Sequence, residues 1–144
     1  MNSKVGTKTY FKILILEDDL QTLSVIMTTL AQTEDEFGVE LATVQLSEYT
    51  QVEYLNTKDA QFDVIILDHD CKLAGSFHVL DIAKFGPGAI IAISTQPEYN
   101  QKALDRGVTE VVRKDYIDLD KFSHELTMAV ERILSLKTVE GAKE

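Results

Sequence analysis

The sequence predicts an α/β domain with a five-stranded parallel sheet, doubly wound, its helices on both faces in three αβα layers. Two observations carry that prediction. Three short runs, residues 11–16, 64–67 and 89–93, are apolar at nearly every position, as strands buried on both faces should be. Between and after them, stretches of helical spacing alternate with strand-like ones, giving β-α five times over. Strands joined through helices lie parallel, so their C-terminal ends share one edge, the edge where open α/β sheets bind ligands.

Residues 1–10 are polar and read as a loose leader before a domain spanning 11–136. The first strand, Phe-Lys-Ile-Leu-Ile-Leu, runs into Glu17-Asp18-Asp19. Leu20, Leu23, Ile26, Met27 and Leu30 then recur at helical spacing, predicting a helix to about residue 32 and an acidic turn over 33–38. Residues 39–46 mix apolar and polar positions and suit a strand near a sheet edge. A short helix over 47–56 would pack Tyr49, Val52 and Leu55.

The strand after Asp63 reads Val-Ile-Ile-Leu-Asp, placing Asp68 at its C-terminal end. A loop over 69–75 follows. Ser76 suits the N-cap of a helix carrying Phe77, Val79, Leu80 and Ile82, stopped by Gly86-Pro87-Gly88. The strand over 89–93 ends in Ser94-Thr95. Pro97 fits the first turn of a helix to about Arg106, with Gly107 beyond it. Residues 108–113 form the fifth strand and lead to Lys114. Asp118 or Asp120 can cap a last helix bearing Phe122, Leu126, Ala129, Val130 and Ile133, with residues 137–144 as a C-terminal tail. The strands starting at Phe11, Val64 and Ala89 are the most apolar and belong in the centre.

The 144 residues make one domain with room for a real core. A balance of 14 Lys and Arg against 24 Asp and Glu gives a net charge of −10, which argues against direct nucleic-acid binding. No apolar run approaches the roughly 20 residues that cross a bilayer, so membrane insertion is not expected. The one cysteine, Cys71, fits a reducing compartment, and a cytoplasmic location is the expectation.

The strand ends gather chemistry. Glu17, Asp18 and Asp19 follow the first strand, Asp68 and Asp70 the third, Ser94 and Thr95 the fourth, and Lys114 the fifth. Clustered carboxylates repel unless a cation offsets them, and carboxylate oxygens with water suit Mg2+. A hydroxyl and a lysine aimed at the same point could hold phosphoryl oxygens, with a carboxylate as nucleophile. Asp19 is better read as the cap of the helix it precedes. His69 reads as a solvent-facing loop residue, Cys71 as a loop thiol, and His78 and His124 carry no signal.

In this order, the set resembles the receiver domain of response regulators in two-component signalling, a flavodoxin-like (βα)5 fold, over roughly residues 11–136. The resemblance implies a stand-alone phosphorelay module and not an enzyme. Asp68 would be the phospho-acceptor, assisted by Ser94 and Lys114. Mg2+ would be held by Glu17, Asp18, Asp68 and the backbone carbonyl of Asp70. A histidine kinase or histidine phosphotransfer protein would supply the phosphoryl group, and a separate output protein would read it.

The sequence also departs from the family. Lys72 stands where a proline is usual, Thr95 where Ala or Gly is usual, and Val111 where many members carry the switching aromatic. Tyr116 is the ring nearest to taking that aromatic's part. Asp70 adds a carboxylate where many members are neutral. Two other readings therefore stay open. One is a pseudo-receiver, a protein-binding module without phospho-switching. The other is a phosphatase, since Leu67-Asp68-His69-Asp70 resembles the Asp-x-Asp motif of haloacid-dehalogenase-type enzymes. In that family, however, the acidic pair comes late, and here it comes first.

Overall fold

A computed structural model describes residues 10–69 and 76–143, with side chains through residue 137. The five strands are β1 (Tyr10–Leu16), β2 (Glu40–Leu46), β3 (Val64–Asp68), β4 (Ile90–Ser94) and β5 (Glu110–Arg113). All pair in parallel, in the order β2-β1-β3-β4-β5. The predicted sheet is therefore the observed one, with the three most apolar strands at its centre.

Helices cover both faces, as period-2 alternation along doubly buried strands requires. Ile13, Ile15, Val64, Ile66, Ile91 and Ile93 point to one side, into a core with Ile26 and Leu30 of α1 (Leu20–Phe37). Phe122, Leu126, Ala129, Val130, Ile133 and Leu134 of α5 (Leu119–Lys143) complete that core at helical spacing. Leu14, Leu16, Ile65, Leu67, Ile90 and Ala92 point to the other side. There they meet Val52 of α2 (Tyr49–Leu55), Phe77, Leu80 and Ile82, and Ala103 of α4 (Pro97–Asp105). Each fully buried Leu or Ile in these layers stabilises the fold by about 1.5–3 kcal/mol. β2 lies at the edge and is mostly exposed, which explains its mixed sequence.

Three elements differ from expectation. Helix α1 takes in most of the predicted acidic turn and ends at Gly38, whose φ of 72° lets its N–H reach the Glu34 carbonyl. Helix α5 is continuous to Lys143, past its expected end near residue 136. The predicted helix over 77–85 is broken: a 3-10 turn, Phe77–Val79, is followed by a single turn of helix, α3 (Ile82–Phe85). Ser76 caps the first piece, accepting from the His78 N–H, and Asp81 caps the second, accepting from the Lys84 N–H. Leu80 between them is extended, with ψ of 135°.

Side chains satisfy the backbone groups that the break releases. Asn56, just past α2, donates to the Val79 carbonyl and accepts from the Asp81 N–H at 2.8 and 2.9 Å. Arg106, just past α4, donates to the carbonyls of His78 and Leu80 at 2.9 and 3.3 Å. Lys84 reaches back to the carbonyls of Asn56 and Lys58.

Candidate functional site

Five of the predicted residues meet at the C-terminal edge of the sheet. Glu17 follows β1, Asp68 ends β3, Ser94 ends β4 and Lys114 follows β5; all four are buried. Asp18 is half-buried beside them. Ligand oxygens of Glu17, Asp18 and Asp68 lie within 4.8 Å of one another.

Lys114 binds the set together. Its Nζ is 2.7 Å from Asp68 Oδ1 and 3.1 Å from Glu17 Oε1, so one ammonium is shared between two buried carboxylates. Its backbone N–H donates to the Ser94 carbonyl at 2.9 Å, which fixes where the lysine leaves the sheet. Burial alone would pull its pKa down, but the Asp68 and Glu17 carboxylates outweigh it and hold the amine charged well above its ordinary range. Sequence reading found this lysine but not its double pairing, which depends on where two other strands end.

Glu17 is constrained from both ends. Its Oε2 accepts from the N–H groups of Asp18 and Asp19 at 3.1 and 3.0 Å. Burial raises its pKa, against the lowering pull of Lys114 and of these hydrogen bonds. Among the described residues three carboxylates thus gather around one ammonium, an arrangement that a further cation could join. The donors are hard carboxylate oxygens, one of them partly open to solvent, and this set fits Mg2+.

Asp19 is a helix cap, accepting from both the N–H and the hydroxyl of Thr22 at 2.9 and 2.8 Å. Ser94 Oγ accepts from the Gln96 N–H at 3.0 Å, tying the hydroxyl to the start of α4. Thr95, the next residue, is partly exposed. Asp70, Cys71 and Lys72 fall outside the described residues, so the expected carbonyl ligand lies there too. Val111 is an aliphatic residue packed against the core on the α4 side. Tyr116 does not replace the missing ring on that side, because its hydroxyl pairs with Thr22 Oγ1 of α1 at 3.0 Å.

His69 departs most from expectation. Its ring is not turned to solvent but stacks on Tyr99 of α4, with centroids 3.8 Å apart and planes within 8°. It also meets His78, centroid to centroid at 4.6 Å. Burial, then the neighbouring His69, Arg106 and Lys102, push the His78 imidazole down to about 4. Its Nε2 is buried with no hydrogen-bond partner among the described residues. These three rings come from separate segments, and nothing in the spacing of the sequence joins them.

No protein-family model matches the sequence, and no curated protein matches it significantly. Solved structures do. A response regulator receiver protein from Sinorhizobium medicae is similar over 89% of this chain and 97% of its own, with a TM-score of 0.63 and 16% identity. A two-component response regulator from Clostridium difficile gives a TM-score of 0.58 at 16% identity, over 85% of this chain and 98% of that one. The BeF3-activated N-terminal receiver domain of RstA from Klebsiella pneumoniae gives 0.56 at 15%, over 83% and 97%. At these identities the likeness is one of fold. The chain has the fold of the response-regulator receiver domain.

Proposed function

We propose that this protein is a phospho-accepting receiver module, with Asp68 as the acceptor. The observation that carries the reading is the convergence of Glu17, Asp18 and Asp68 within 4.8 Å, at the strand edge that also bears Lys114 and Ser94. The donor would be the phosphohistidine of a histidine kinase or phosphotransfer protein. An Asp68 carboxylate oxygen attacks phosphorus in line; the P–O bond forms as the P–N bond breaks, and the bonding pair returns to the imidazole nitrogen, which takes up a proton. The product is an acyl phosphate on Asp68.

The chain's own groups make that attack feasible. Lys114, shared between Asp68 and Glu17, moves with the growing charge and pairs with a phosphoryl oxygen. Ser94 can donate its hydroxyl proton while its oxygen still accepts from Gln96. Asp18 is the partly open member of the set. Mg2+ held by Glu17, Asp18 and Asp68 would supply further positive charge next to the transferred group. The output is a change in surface read by a separate protein.

The test is incubation with acetyl phosphate and Mg2+, followed by intact mass. The parent should gain one phosphoryl group and Asp68→Asn none. Equal uptake by the two proteins would contradict the assignment. Sustained hydrolysis of a generic phosphomonoester would favour a phosphatase, and Mg2+ binding with no uptake would favour a pseudo-receiver.

A further inference from the structure

We infer that the His69–Tyr99 stack couples the state of Asp68 to helix α4. This rests on the proposed phosphorylation of Asp68 and adds a route by which it would be read.

His69 is covalently next to Asp68, at the point where β3 ends. Its N–H donates to the Ile93 carbonyl at 3.3 Å, tying this chain end to β4. Asp68 is completely buried, with Lys114 only 2.7 Å from one of its oxygens. A phosphoryl group therefore cannot be added without displacing something. The strands on either side are paired and packed, and His69 is held at its N–H by the Ile93 carbonyl and at its carbonyl by the Ser76 hydroxyl at 3.0 Å, so a shift of Asp68 carries the His69 ring with it.

That ring lies parallel on Tyr99 at 3.8 Å. Two stacked rings shift together or separate, which gives the contact two discrete arrangements instead of a graded response. Tyr99 stands in the first turn of α4, whose start is also tied to the site through the Ser94 Oγ–Gln96 N–H bond. Both contacts therefore act on the same helix end. The far side of the helix is anchored, since Asn100 donates to the Val112 carbonyl of β5 at 3.2 Å. The His78 ring, neutral under ordinary conditions with its pKa near 4, adds a second contact to His69 without adding charge. With valine at 111, β5 has no ring at that position, and Tyr99 is the aromatic that α4 turns toward the acceptor strand.

The experiment compares hydrogen exchange of residues 97–105 before and after phosphorylation by acetyl phosphate and Mg2+, at matched phosphoryl occupancy. It uses the parent, His69→Ala, His69→Phe and Tyr99→Leu. All four should take up phosphoryl on Asp68. The phosphorylation-dependent change in α4 should be present in the parent, kept in His69→Phe, and reduced roughly two- to ten-fold in His69→Ala and Tyr99→Leu, as expected when one stacked pair is lost. The readout is a difference between two states, so a variant that merely loosens α4 does not mimic it. An undiminished α4 response in His69→Ala or Tyr99→Leu overturns the coupling and leaves the acceptor assignment standing. No uptake by the parent overturns both.

Discussion

On the side of Asp68 that faces α1 and α5, every site residue hangs from a regular element. Glu17 and Lys114 leave paired strands, Asp19 caps a helix, and 18- and 25-residue helices pack behind them. On the side that faces α3 and α4, the described chain between β3 and β4 is two 3-10 turns and one turn of helix, held by Asn56, Lys84 and Arg106 gripping loose carbonyls and N–H groups. The contrast teaches a division of labour. The regular side fixes the geometry of the charges, while the backbone of the irregular side is held largely by side-chain hydrogen bonds. Regions of low local stability are where switching elements are found.

The largest expected effect breaks the regular side. Lys114→Met leaves two buried carboxylates without their shared cation and should destabilise the protein by about 3–5 kcal/mol, measured by urea unfolding at pH 7. Added Mg2+ should recover part of that loss if the carboxylates hold it; no recovery would argue against the metal site. Next comes Asn56→Ala on the irregular side. It removes two hydrogen bonds and should cost about 1–2 kcal/mol, with increased exchange confined to residues 76–86 and little change in α1 or α5. Equal loosening on both sides would erase the contrast.

Glu17→Gln should act in the opposite direction. The raised pKa of Glu17 means the folded protein binds that proton more tightly than the unfolded chain. Its contribution is thus fully present below the ordinary 4.5 and is lost as pH rises through the folded value. Above that folded value the ionised, buried carboxylate is a cost, so the Gln variant should there be more stable than the parent without Mg2+, by about 0.5–2 kcal/mol. The gain should shrink as pH falls toward 4.5, and stabilisation by Mg2+ should weaken. Lys114, its pKa raised by the carboxylates, keeps its full contribution throughout that window and loses it only above its ordinary 10.5. The smallest effect is expected of Tyr116→Phe, which removes the bond to Thr22 and should cost under about 1 kcal/mol without reducing phosphoryl uptake.

The same division explains what was legible in the sequence. The sheet, its central strands and the five converging site residues were readable, because continuous apolar runs and strand ends are local patterns. The break at Leu80 was not: apolar spacing over 77–82 is compatible with a helix, and the groups that make the break tolerable come from Asn56 and Arg106, more than 20 residues away. The His69–Tyr99–His78 contact was missed for the same reason, since it exists only after β3, the 3-10 turn and α4 have been packed. The extent of α1 was missed because Thr33 to Phe37 carry an acidic run that suits a turn, yet Thr33 is buried and bonds back to the Thr29 carbonyl.

The most direct measurement is to map the phosphoryl group itself. After transfer from a phosphohistidine donor in the presence of Mg2+, treatment with hydroxylamine should convert an acyl phosphate to a hydroxamate, found by peptide mass at Asp68 and absent from Asp68→Asn. A stable phosphoryl group on another residue, or no transfer to a folded protein with its site intact, would contradict the assignment of Asp68 as the acceptor.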